Sequence, residues 1–597
     1  MILFVVGWSR AAPVEAQAGA GALRRLVERL PFFGGAGVEC WRAPSGTAAF
    51  AWVAHDRSRT GGRRYVHAEP DRVCAYAGRP IRWRGDAEAD GCGPLEPRDF
   101  LSSPRESTRG LDGRWVVIRY NDAERALDVW SDALGAYPVF LAHAGEVTWL
   151  SNSAALLHTL DGGREADLAA LAGLLGGGWP LDGHPVWAGV RRLARGATLH
   201  LEPHRGPRCH EQLPAAEIAA MLGAGLDRKR AARTLVAATR ALADWPGRPS
   251  VVPVTGGRDS RLVLAAALAA GIDFDAATGG APGDPDVESA RRLCQAAGIS
   301  HALLPADPHG DVFGEPVEAA RLLALSAGGT ASLADAAGFP LGPRPGPLPI
   351  WHSGQGGEVA RGYYGVGQGG AGELVALLYR RFVGRRPGRV EPLSERGRAL
   401  VEGQLREWVE DQLASGIDPV DVPDVFYLLK RMGTWAGPTH GAVEFVRDTT
   451  SPLWSSRMLP FELGLAAGER AREHFHLRLL RELAPELVGV PFADGFSWTG
   501  RRSRAARARA LAAKSLAELR RRARPSVGER DRVADPFGRV QRLVREAASA
   551  RPDHPAWEVL DRGRVDSLLT RAPGGLDTMS RYYVWRLATV LLTDELA

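Results

Sequence analysis

Thr255, Gly256, Gly257, Arg258, Asp259 and Ser260 are the residues of this 597-residue chain whose types and spacing most clearly suit chemistry. Val251, Val252 and Val254 precede them as a short β-type run, and an apolar run over 262–268 reads as a helix. A strand, a glycine turn and a helix N-terminus together bind phosphate. The glycines let the backbone approach an anion, and the unpaired N–H groups and helix dipole stabilise it. Val254 brings the strand to the site, and Thr255 and Ser260 add hydroxyl donors. Asp259 is acidic where phosphates would sit, which is sensible if it holds Mg²⁺. No G-K-[ST] follows the glycines, so the turn is not a Walker loop. A plain glycine turn before a helix would use the same six residues. A second stretch, His352, Ser353, Gly354, Gln355, Gly356, Gly357 and Glu358, follows an apolar run at 348–351. Nucleotide phosphates bridged by Mg²⁺ need carboxylates, so Asp259 and Glu358 are expected to share that metal. The alternative is a glycine-rich surface loop. Thr278 and Gly279, at another strand end, are candidates to touch adenine or ribose.

The elements that must position these residues alternate. Strands are predicted at 251–254, 274–277, 302–304 and 348–351, with helices at 261–270, 286–297 and 317–327. This alternation implies a parallel, doubly wound sheet, with ligands bound beyond the strand C-termini. All three candidate loops fall there. Asp286 reads as a helix N-cap. Pro253 breaks the rule that keeps proline out of central strands. Residues 1–210 read as mostly β, with strands at 3–6, 48–53, 115–119, 126–130, 139–141 and 147–150 and helices at 21–30 and 167–175. Residues 211–597 form the second expected domain, helical at 213–248 and mostly helical again beyond 370.

The length calls for two or more domains, and 45% hydrophobic residues can fill their cores. A net charge of +6 is mild for this length and makes no case for nucleic-acid binding. Lysine occurs only at Lys229, Lys430 and Lys514. The cysteines, Cys40, Cys74, Cys92, Cys209 and Cys294, are odd in number and widely spaced, which suggests a reduced, cytoplasmic protein without structural zinc. No apolar run is long enough to span a membrane.

The 255–260 stretch resembles the S-G-G-x-D-S loop of ATP pyrophosphatases, with Thr255 at the first serine. The 353–364 stretch resembles the S-G-E-G-x-D-E-x-F-x-G-Y segment of the asparagine synthetase superfamily, with Glu358 at the Asp. Further matches lie in Leu111, Asp112, Gly113, Arg114 and Trp115; in the run from Ser131, Asp132 and Ala133 to Pro138; in Leu150, Ser151, Asn152 and Ser153; and in Trp187 to Leu193. The resemblance implies a degenerate glutaminase-like (Ntn-type) α+β domain over 1–210. It implies an α/β ATP pyrophosphatase domain with a helical C-terminal part over 211–597. Ile2 stands where the family's glutaminases carry their nucleophilic cysteine, so the expectation is that glutamine is not hydrolysed.

By the same resemblance Glu444 is the candidate for the acid near the reacting amine, with a surface glutamate as the alternative. No lysine follows Pro485 and Pro491 where the family has one, so Arg501 or Arg502 is expected to supply the cation. The Arg-rich stretch 501–524 reads as a basic helix, most simply a solvated face. A member without the glutaminase nucleophile implies an amine other than ammonia. The length and the start Met1, Ile2, Leu3, Phe4 look more like lasso peptide cyclases than β-lactam synthetases. The resemblance then implies ATP and Mg²⁺ as cofactors and a precursor peptide as substrate, with a leader-binding protein and a leader peptidase as partners. A small-molecule amide ligase and a non-catalytic nucleotide- or peptide-binding relative stay open.

Overall fold

The computed structural model describes the chain except residues 1, 34, 55–63, 84–91, 103–107, 109, 164, 245–246, 305–314, 336–346, 385–390, 445–446, 499–535 and 597. The N-terminal part is built on two six-stranded antiparallel sheets. The first runs Val190–Arg192, Phe140–Ala144, Val147–Ser151, Ile2–Ser9, Ala48–Ala54, Glu39–Arg42. The second runs Arg205–Glu211, Ala197–Glu202, Ala126–Ser131, Trp115–Asn121, Arg72–Gly78, Val66–Ala68.

Ile2–Ser9 is buried at every residue, which is why it reads as an unbroken apolar run and not as an alternation. Ile2, Phe4, Val6 and Trp8 join Val117, Leu127 and Val129 in the core between the sheets. Leu3 and Val5 join the other face, against Leu23 and Leu26 of helix Ala16–Glu28 and Leu171 and Leu174 of helix Leu168–Gly177. The expected strands are all present. The other six strands of these sheets are not among those expected; Arg205–Glu211 is a largely exposed polar edge with no apolar pattern to read, whereas Arg72–Gly78 is buried and apolar. The 131–138 motif is a turn wrapped on Asp132, whose carboxylate accepts N–H groups from Leu134 (3.2 Å), Ala136 (2.7 Å) and Tyr137 (2.8 Å).

Beyond Glu211 a five-stranded sheet runs Ala302–Leu304, Asp275–Gly279, Ser250–Pro253, Ile350–His352, Asp448–Thr450, with every pair parallel. The expected helices occur as Asp259–Ala270, Pro285–Ala296 and Pro316–Ala327. The strand at Asp448–Thr450 was not expected; three residues flanked by polar groups give no periodicity. In chain order the sheet reads third, second, first, fourth, fifth. The order reverses between Ser250–Pro253 and Ile350–His352, and that reversal makes the crevice where open α/β sheets bind ligands.

Pro253 is accommodated by position. The Val254 N–H bonds to the Ala277 carbonyl at 2.9 Å, so by strand alternation residue 253 faces the Ile350–His352 side. Pairing on that side ends at Val251 with Trp351, and no ladder bond is lost.

Residue 210, near which the boundary is expected, lies within strand Arg205–Glu211, and the apolar core does not stop there. Leu171 and Leu174 share one cluster with Phe382, Val559, Tyr583 and Leu587 of the C-terminal helices. Where those helices meet the first part, the ten-residue π-helix Tyr427–Ala436 leads into Gly437. A Cβ there would come within 2.6 Å of the Ala136 carbonyl. Among the described residues no helix is long and apolar enough to cross a membrane.

Candidate functional site at the sheet crevice

The two glycine-rich stretches are the loops that leave the strands on either side of the sheet's reversal. They touch. A Cβ on Gly354 would lie 2.8 Å from the Ser260 nitrogen and 2.9 Å from the Asp259 Cβ, and one on Gly357 would lie 2.6 Å from Asp259 Oδ1. Only glycine lets the second loop sit this closely on the first turn of helix Asp259–Ala270. Gly256 is tight on its other side, where a Cβ would come within 2.4 Å of the Ala493 Cβ.

Part of the loop's hydrogen-bonding capacity is spent internally. The Thr255 N–H donates to Ser260 Oγ at 3.3 Å, and the two hydroxyls are 2.9 Å apart. The Gly257 N–H donates to Thr255 Oγ1 at 3.2 Å. The Gly256 N–H donates to Asp286 Oδ1 at 2.9 Å, so Asp286 braces the loop and the N-cap of Pro285–Ala296 is Asp284. The N–H groups of the first helical turn beyond Arg258 are the ones with no intrahelical carbonyl to meet.

Three carboxylates gather here. Asp259 Oδ1 meets His476 Nε2 at 2.8 Å, and Asp259 Oδ2 lies 3.0 Å from Arg361 Nη2. Glu358 Oε1 lies 3.9 Å from the same Arg361 nitrogen, and its other oxygen accepts the Gly356 N–H at 3.1 Å. Glu462 is the third, 1% exposed, with Oε1 lacking a hydrogen-bond partner. Burial would raise the Asp259 carboxyl, but His476 and Arg361 hold it below its usual range. Glu358 is pushed up to about 7 by burial and by the charge of Asp259. Glu462 is pushed well above the usual carboxylate range by burial, then by Asp259 and Glu358.

Among the described residues no group of three or more His, Cys, Asp or Glu is arranged as a self-sufficient metal cage. Two carboxylates beside first-turn amides do fit Mg²⁺, which takes one or two protein carboxylates and completes its shell with substrate phosphates and water.

The remaining candidates fall as follows. Arg258 is committed to neighbours, with Nε 2.8 Å from Glu473, Nη2 3.3 Å from Asp494 and its guanidinium 4.1 Å above the Phe492 ring. Glu473 holds it from a left-handed backbone (φ 62°), a strained position that places its carboxylate between Arg258 and the indole of Trp498 (3.2 Å). Val254 is fully buried, and its carbonyl accepts the Thr278 hydroxyl. That hydroxyl also lies 2.9 Å from His301 Nε2, so Thr278 is an inward brace, with Gly279 exposed beside it. Ser353 Oγ accepts the Gln355 N–H at 3.2 Å, and the Ser451 hydroxyl bonds to the Gln355 carbonyl.

Glu444 is elsewhere. It is 2% exposed, 2.6 Å from Arg114, and lines a small cavity with Tyr137, Asn152 and Ala327. It is not a surface glutamate, and the third acid beside Asp259 and Glu358 is Glu462. Arg501, Arg502 and the 501–524 stretch lie outside the described residues.

Sequence reasoning passed over His476, Arg361 and Glu462. His476 and Glu462 sit in ordinary amphipathic or apolar segments and carry no local signal. Arg361, three residues after Glu358 in a glycine-rich loop, could have been read as its counter-charge.

No family model matches the chain, and no curated protein matches it. Solved structures similar to it include the glutamine phosphoribosylpyrophosphate amidotransferase from B. subtilis complexed with ADP and GMP. Another is described as the allosteric regulatory enzyme of purine biosynthesis. Each is 11% identical over 52% of this chain, covering 82% and 81% of its own length, with a TM-score of 0.23. At that score neither alignment bears on the reading of the site.

Proposed function

We propose that this chain is an ATP-dependent ligase that activates a carboxylate as an acyl-adenylate and joins it to an amine. The observation that carries this reading is the contact between the 255–260 and 353–358 loops at the sheet reversal, with glycines, first-turn amides and two carboxylates but no Walker lysine. The first-turn N–H groups of Asp259–Ala270 would cradle phosphate, and Asp259 and Glu358 would hold Mg²⁺. When bound, Mg²⁺ neutralises phosphate charge and favours departure of pyrophosphate. A substrate carboxylate oxygen attacks the α-phosphorus, the bond to the bridging oxygen breaks and pyrophosphate leaves. An amine then displaces AMP from the acyl carbon. The sequence resemblance favours an intramolecular case: the N-terminal amine of a precursor peptide closing a ring on an Asp or Glu side chain, with a leader-binding protein and leader peptidase as partners.

The test is product analysis of the full chain with Mg–ATP and a peptide bearing a free N-terminus and an internal Asp or Glu. AMP and pyrophosphate should appear together with a peptide lighter by one water. ADP and phosphate as main products would overturn the reading.

A pH dependence follows from Glu358. Its carboxyl is pushed up to about 7, so at neutral pH it is partly protonated, and a metal-bound nucleotide favours the ionised form. Binding of Mg–ATP should therefore release protons, and affinity should rise with pH through about 7 and level off above. Calorimetry in buffers of different ionisation enthalpy reads this directly; proton uptake would contradict it.

A further inference from the structure

We propose that Arg361 is an exchangeable counter-cation: it holds the acid pair when nucleotide is absent and turns to the phosphates when metal and nucleotide enter. The inference rests on the nucleotide-binding reading and deepens it.

Arg361 Nη2 stands between the two expected metal ligands, 3.0 Å from Asp259 and 3.9 Å from Glu358. A divalent cation held by those carboxylates would compete with the guanidinium for this position, so one would have to yield. The backbone is fixed. Arg361 ends the short helical turn Gly357–Arg361, closed by Gly362 in the left-handed region (φ 58°), where a Cβ would lie 3.0 Å from the Ala471 Cα. The side chain is less confined, at 19% exposure, with its guanidinium 5.2 Å from the centre of the exposed Tyr363 ring. Its Nε is buried without a hydrogen-bond partner, a donor that a phosphate oxygen would satisfy.

Two nearby candidates are already engaged. Arg258 is tied to Glu473, Asp494 and Phe492. Lys430 pairs with Asp182 at 2.8 Å. Arg361 thus brings to the crevice a positive charge of the kind that a departing pyrophosphate needs.

The probe is Mn²⁺, read by electron paramagnetic resonance on the full chain, with and without ATP. In Arg361→Gln, nucleotide-free protein should bind Mn²⁺ on the order of tenfold more tightly, because the competing charge is gone. The same variant should bind Mn–ATP on the order of tenfold more weakly, because a phosphate partner is gone. Arg361→Lys keeps the charge, so its nucleotide-free Mn²⁺ affinity should stay near wild type, and it serves also if the glutamine variant does not fold. Opposite shifts in the two affinities support the inference. Shifts of the same sign, or none, overturn it while wild type still binds Mn–ATP. If wild type does not bind Mn–ATP, the nucleotide reading falls, and this inference with it.

Discussion

Asp259→Asn and Glu358→Gln should each lower substrate-dependent pyrophosphate release on the order of 10²-fold or more, because charge stabilisation through a bridging metal is worth several kcal/mol in the transition state. The double variant should lose little beyond either single one, since both substitutions disable one metal site. Stability without nucleotide should barely move in Glu358→Gln, an isosteric change that removes a charge disfavoured by burial and by Asp259. Asp259→Asn, also isosteric, should cost somewhat more, because it gives up the charge that His476 and Arg361 stabilise. The stabilisation that Mg–ATP confers on the folded chain should shrink in both. A wild-type rate in either single variant would remove that residue from the metal site.

The second large effect concerns cohesion. Asp448 is 4% exposed and accepts from Arg79 Nε at 3.1 Å and Arg248 Nη1 at 2.8 Å. Arg79 follows strand Arg72–Gly78 of the second antiparallel sheet, and Arg248 precedes the first parallel strand. One buried carboxylate therefore pins the two parts of the chain together. Burial alone would raise its pKa, but Arg79 and Arg248 hold it far below the usual range. Asp448→Ala takes this carboxylate away from two buried guanidinium groups and should cost on the order of 3–5 kcal/mol, read as a lower denaturant midpoint. The folded-state pKa is depressed, so this contribution is complete above the ordinary Asp value of about 4 and is lost as pH falls below it. A loss under about 1 kcal/mol would mean that water or other groups take over the two arginines.

These two sites differ in how far the sequence discloses them. The apolar run before Thr255, the glycines and the αβ alternation are local signals, and they locate the 255–260 loop, its helix and the parallel sheet. The second glycine-rich stretch is readable for the same reason. What local signals do not carry is pairing across the chain. His476 is 217 residues from Asp259, and Asp448 is 369 from Arg79. Asp286 reads as a cap and proves to bind the Gly256 N–H. Glu444 reads as a site acid or a surface glutamate; the fold buries it against Arg114. Glu462 lies in a segment whose sequence reads as apolar, and no local signal marks it.

The central claim, that nucleotide binds where the two loops meet, is tested most directly by hydrogen–deuterium exchange of the full chain with and without Mg–ATP. The first-turn amides of Asp259–Ala270 and the 353–361 loop should exchange more slowly when nucleotide is present. The opposite end of the sheet provides the control, where Arg240, Phe274 and Asp275 line an open pocket of about 550 Å³. Protection confined to peptides around that pocket, with 254–261 and 353–361 unchanged, would contradict the account.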